Sequence, residues 1–115
     1  PGHFAVLSNL FHDLPPTPPA EEQLKTLLQR PGLKIERIVS FGHASPADFW
    51  YQQEQDEWVL LLSGSAQLRF ADDAEPRTLL PGDFVEIVAQ RRHRVDATDA
   101  KQATVWLALF YPAVA

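Results

Sequence analysis

From residue 34 onward, short apolar or alternating runs are separated by turn-forming residues. Residues 34–40 are rich in Ile and Val, and residues 57–62 are almost wholly apolar. In 65–70, Ala66, Leu68 and Phe70 alternate with Gln67 and Arg69, the period-two pattern of a strand with one buried face. Further short strands are predicted over 49–53, 77–80, 84–88, 93–97 and 103–111. Pro81-Gly82 suits a type II turn, since proline presets the first central φ and glycine accepts a positive second one. Short strands with turns at close intervals predict an all-β sandwich or barrel.

The first third reads differently. Residues 1–16 are irregular, with Leu7, Leu10, Phe11 and Leu14 as apolar anchors. Thr17-Pro18-Pro19-Ala20-Glu21-Glu22 has the chemistry of a helix start: a capping hydroxyl, prolines in the first turn, then acids near the positive end of the dipole. Leu24, Leu27 and Leu28 follow at helical spacing, and Pro31-Gly32 ends the run. The expectation is one short helix over 19–30. One domain is expected overall, with residues 1–32 as an N-terminal extension and 33–115 as the β-barrel.

Two strands carry apolar residues on both faces. In 57–62, Val59 and Leu61 share the face of Glu57, while Trp58, Leu60 and Leu62 take the other. In 103–111, Val105, Leu107 and Leu109 oppose Trp106, Ala108 and Phe110. An antiparallel strand with one wet face alternates apolar with polar, so the outer faces of these strands need a cover. The helix covers part of that surface, and a second subunit covering the rest makes a homodimer the expected state.

Composition narrows the classes. The net charge of −5 argues against a nucleic-acid surface, which needs clustered Lys and Arg. With no cysteine there are no disulfides, thiolate metal sites or cysteine nucleophile. No apolar run is long enough to span a bilayer, and no signal-peptide pattern opens the chain, so a soluble cytoplasmic protein is expected.

Two spacings carry the functional signal. Glu57 is followed, after six residues, by Gly64; further on, Gly82 and His93 stand eleven positions apart. These residues resemble the two motifs of the cupins. The first is His-x-His, three or four residues, Glu, six residues, Gly. The second is Gly, five residues, Pro-x-Gly, two residues, His, three residues, Asn. The resemblance covers about residues 34–111 and implies a double-stranded β-helix, the cupin jelly-roll barrel. It departs from the family where the interior Pro-x-Gly is Val88-Ala89-Gln90 and the terminal Asn is Ala97. With the three-residue spacer, the two motif histidines fall on Tyr51 and Gln53; with the four-residue spacer they would be Trp50 and Gln52. On the first alignment the family's three-His, one-Glu set becomes Tyr51, Gln53, Glu57 and His93. Trp50-Tyr51-Gln52-Gln53 ahead of Glu57-Trp58-Val59 is also similar to a subgroup of small cupins labelled phosphomannose-isomerase-like.

The resemblance implies a pocket in which Glu57 and His93 are the candidate catalytic residues. Gln53, Glu57 and His93 are the candidate ligands of a divalent metal (Zn, Mn, Ni or Fe), held weakly or not at all. A neutral amide is a poor ligand for transition metals, and a phenol binds only when ionised. Tyr51, Trp50 and Arg92 are the candidate substrate contacts, with an arginine of the 91–94 run holding an anionic group. Plainer readings stand beside these. His93 could be a loop histidine among Arg91, Arg92 and Arg94. Glu57 could be an ion-pair partner of Arg37 or Arg92, and Trp50 a core residue. His43 reads as a solvated loop histidine, as do His3 and His12 in the irregular N-terminus. Asp72, Asp73 and Glu75 read as a hydrophilic hairpin tip. Two functions follow: a metal-assisted enzyme acting on a polar small molecule such as a sugar or sugar phosphate, by isomerisation or less readily O₂ chemistry, or a non-catalytic binding or sensor module that has shed its metal.

Overall fold

The computed structural model describes residues 7–114 and contains, among them, eight strands and no helix. The strands are β1 (Gln23–Arg30), β2 (Leu33–Ser40), β3 (Asp56–Ser63), β4 (Ala66–Phe70), β5 (Arg77–Leu79), β6 (Phe84–Ile87), β7 (His93–Thr98) and β8 (Thr104–Tyr111). They form two antiparallel sheets, one ordered β1-β2-β8-β3-β6 and the other β5-β4-β7. This is the expected double-stranded β-helix.

The two doubly apolar strands lie side by side in the larger sheet. Their register sets Glu57 opposite Phe110, Val59 opposite Ala108 and Leu61 opposite Trp106. These pairs face inward and join Leu68 and Phe70 of β4 and Ile87 of β6 in one core. Trp106 is inside the barrel, 5% exposed, and its indole N–H donates to Ser40 Oγ at 3.2 Å, so its buried donor is satisfied.

The turns explain two of the motif glycines. Gly64 has φ +83°, and a Cβ there would stand 2.6 Å from Thr104 Cα. Backbone conformation and close approach of β8 both exclude a side chain. Gly82 has φ +94° but open space around it. It is needed only for the turn, which Asp83 N–H closes onto Leu80 O at 2.9 Å.

The helix expected over 19–30 is absent. Gln23–Arg30 is instead the edge strand β1, paired with β2 from Gln23↔Val39 to Arg30↔Leu33. A bulge between Thr26 and Leu28 accounts for the misleading leucine spacing. Leu24 pairs with inward-facing Ile38, while Leu28, beyond the bulge, pairs with outward-facing Ile35. A helix this short is marginal without tertiary packing, whereas the open edge of β2 offers a full ladder of backbone bonds. The strand expected over 49–53 is likewise reduced to one bridge, Tyr51↔His93. The turn Phe49 N–H to Pro46 O, with Asp48 at φ +61°, breaks any longer pairing.

On the outer face of the larger sheet, Arg37 is 2% exposed and ties down the N-terminal segment, donating to Leu10 O, His12 O and Gln23 Oε1. Val39 and Val105 are buried at that end. The other end keeps Ile35, Trp58, Leu60, Leu107 and Leu109 only half-buried, with Phe84 64% exposed beside Trp58. We propose that a second copy of the chain covers this patch, since a two-fold contact buries the same apolar surface twice. Sedimentation at micromolar concentration should give a dimer, and Leu107→Glu should convert it to a monomer; a wild-type monomer would contradict the proposal.

Candidate functional site

The inner faces of both sheets enclose a cavity of about 550 Å³. Tyr51, Gln53, Glu57 and His93 all line it, as do Trp106 and Phe110. Glu57 points inward because it shares the parity of Val59 and Leu61 on β3. His93 opens β7, and the backbone bridge Tyr51 N–H to His93 O (2.8 Å) and His93 N–H to Tyr51 O (3.0 Å) fastens the 41–55 loop beside it. The alignment that put Tyr51 and Gln53 at the motif positions thus corresponds to the residues on the cavity wall.

Glu57 and His93 are 9% and 6% exposed. Gln53 Nε2 donates to Glu57 Oε1 at 2.9 Å, and His93 Nε2 lies 3.9 Å from the same oxygen. His93 Nδ1 is 2.8 Å from Arg91 O. A carbonyl can only accept, so Nδ1 carries the proton and the neutral ring turns the Nε2 lone pair toward Glu57 and the cavity. Burial pushes the Glu57 carboxyl above its ordinary range, opposed by the Gln53 hydrogen bond and aided by the charge of Glu36. Burial also pushes the His93 imidazole down, with the Arg91 carbonyl partly opposing. Both groups are thereby driven toward their neutral forms, in which the Glu57 carboxyl can give a proton and the His93 Nε2 lone pair can take one, in exchange with each other or with a bound molecule.

The other candidates fall elsewhere. Arg92 and Trp50 are not among the residues lining the cavity. The Arg92 guanidinium is 5.7 Å from the Trp50 ring, and Arg69 and Arg94 approach the same ring at 5.4 and 5.8 Å. Arg94 also donates to the carbonyls of Ser45, Pro46 and Phe49, so this cluster pins the 41–55 loop. Glu57 makes no ion pair with Arg37 or Arg92. His43 does line the cavity, but both ring nitrogens are engaged: Nδ1 accepts from Phe41 N–H and Nε2 donates to Pro19 O. His12 is exposed and pairs with Asp13. His3 lies outside the described residues. Sequence reasoning missed the rim formed by Glu21, Glu22 and Leu24, because those residues were assigned to a helix.

The donor set does not fit a firmly held transition metal. It offers one imidazole nitrogen and one carboxylate, and the Gln53 amide N–H already occupies the nearer carboxylate oxygen. Among the described residues no three His, Cys, Asp or Glu side chains come together.

No protein-family model matches the chain, and no curated protein matches it. Solved structures do. A Ralstonia eutropha JMP134 protein named a "putative mannose-6-phosphate isomerase" is 48% identical over 95% of this chain and 100% of its own, with a TM-score of 0.91. An RmlC-like cupin from Methanocaldococcus jannaschii is 15% identical, covers 96% of this chain and 94% of its own, and has a TM-score of 0.70. KdgF from Halomonas sp. is 20% identical, with 84% of each chain covered and a TM-score of 0.67. The last two speak for the fold alone.

The burial of the pair sets a pH dependence. A carboxyl whose folded pKa is raised costs stability as pH rises through and beyond the ordinary value of 4.5. An imidazole whose folded pKa is depressed costs stability as pH falls below 6.5. Glu57→Gln should therefore melt higher than wild type at roughly pH 8 and no higher at roughly pH 4, where both side chains are neutral. His93→Gln should flatten the acid limb. Thermal denaturation across pH measures both, and parallel curves for all three proteins would contradict the assignment.

Proposed function

Because this chain belongs to the cupin family, we propose that it binds one small organic molecule inside the barrel without a resident metal, and that Glu57 and His93 exchange a proton with it. The observation that carries this reading is the Gln53–Glu57 hydrogen bond beside the His93 Nε2 lone pair at one wall of the cavity. The carboxylate's partner is an amide, where a metal-loaded relative would present a cation. Tyr51 adds a phenol that can donate to a bound oxygen or nitrogen. This arrangement supports reversible binding, and also proton transfer of the kind that isomerises a carbon–oxygen skeleton.

The second reading is a metal-assisted isomerase of sugar phosphates. What favours it is the 48% identity to the Ralstonia protein named for mannose-6-phosphate isomerisation. It requires an ion held by Gln53, Glu57 and His93.

Calorimetric titration with Mn²⁺, Ni²⁺ or Zn²⁺ separates the two. The wild-type protein should bind these ions only in excess, with Kd well above about 1 μM. Gln53→His should tighten binding, because an imidazole replaces the amide at a position already on the cavity wall. Glu57→Ala should abolish binding by removing the carboxylate. Wild-type binding much tighter than about 1 μM and lost in Glu57→Ala would overturn the metal-free reading.

A further inference from the structure

Among the described residues, no lysine or arginine lines the cavity, whereas three carboxylates do: Glu57 at the polar wall and Glu21 and Glu22 at the rim. Seven of the ten cations are engaged elsewhere. Arg37 holds the N-terminal segment on the outer face. Arg69, Arg92 and Arg94 surround Trp50. Arg77 and Arg91 pair with Asp73 and Asp72 over the Phe70 ring. Lys34 shares the register position of Phe110, but its ammonium is 3.0 Å from the buried Glu36 carboxylate. No helix N-terminus is present among the described residues to receive an anion. The two histidines on the wall cannot substitute: His43 has both nitrogens engaged, and His93 offers a lone pair rather than a donor.

Most of the remaining wall is apolar, built from Ile38, Val59, Leu68, Ile87 and Val95, with the rings of Trp106 and Phe110. A phosphate dianion moved into such a site loses its hydration, gains no cationic partner and meets three like-signed carboxylates. An organic ammonium meets the opposite balance: carboxylate acceptors at the wall and rim, and π-faces that attract a cation.

Resting on the pocket reading above, we infer that the cavity selects a compact ligand with an apolar body and a single ammonium head, and rejects phosphate esters. The ammonium sits against Glu57 and holds it in its ionised form against the effect of burial; among the described residues the second Glu57 oxygen accepts no hydrogen bond, and the apolar body lies along the Ile38–Trp106–Phe110 wall. The substrate class is then hydrophobic amines rather than phosphorylated sugars.

The test is a calorimetric series on the wild-type protein in which the head group changes on one body: benzylamine, benzyl alcohol and benzyl phosphate, with mannose 6-phosphate added. Benzylamine should bind at least about tenfold more tightly than benzyl alcohol, and benzyl phosphate more weakly than either. Mannose 6-phosphate should give no binding heat. Glu57→Gln keeps the shape and the Gln53 contact while removing the charge. It should bring benzylamine to within about threefold of benzyl alcohol. If benzyl phosphate or mannose 6-phosphate binds as tightly as the amine, the charge inference falls and the pocket reading stands. If Glu57→Gln leaves amine binding unchanged, the inference falls in the same way. If none of the four compounds binds, both fall.

Discussion

The antiparallel register between β3 and β8 is the constraint on which the rest depends. Because side chains alternate faces, the pairs Leu61–Trp106, Val59–Ala108 and Glu57–Phe110 must enter the barrel together. Two hydrophobic layers and one carboxylate are therefore stacked along one wall. A slip of one residue would send Glu57 to the surface and Trp58 into the core. Gly64 secures the register from below, since Thr104 approaches it too closely for any side chain, and the Thr104 hydroxyl bonds to Ser65 O at 3.1 Å. Burial of Glu57 is thus a consequence of the fold's strongest pattern. The cost of that burial shapes the chemistry around it, through Gln53, through the neutral His93 and through the raised carboxyl.

Much of this was legible in the chain. The alternation at 65–70 and the two doubly apolar strands gave the barrel, and the spacings from Glu57 to Gly64 and Gly82 to His93 brought the two site residues to one cavity wall. Strand parity also separated Trp58 from Glu57. Parity does not decide which face of 103–111 turns inward; the structure turns Trp106 inward, covered within one chain. The leucines at 24, 27 and 28 misled for a physical reason. A β-bulge inserts one residue into the period of two, and at this length the result imitates a helical stripe. Losing that strand also lost the rim of the cavity. Arg92 and Trp50 misled differently: sequence adjacency to His93 and Tyr51 reverses facing in extended chain, and the arginines stack on the indole away from the cavity.

A cavity lined by carboxylates and apolar walls differs from what a family resemblance alone would suggest. On the proposed metal-free reading, Tyr51 and Gln53 at the two motif positions leave the cavity without an ion whose positive charge would draw an anionic substrate. No arginine among the described residues lines the cavity. Fold kinship therefore constrains where the pocket is, while the charge of its wall constrains what can enter it.

The central claim is that Gln53, Glu57 and His93 form the polar pole of a cavity with no lysine or arginine on its described wall, and that the imidazole presents its Nε2 lone pair to the carboxyl. Long-range ¹H–¹⁵N NMR of the His93 ring in metal-free protein reads this directly. The account predicts the Nδ1–H tautomer at neutral pH and a titration midpoint below the ordinary 6.5, with the tautomer retained in Glu57→Gln. An Nε2–H tautomer, or a midpoint at or above that value, would contradict it.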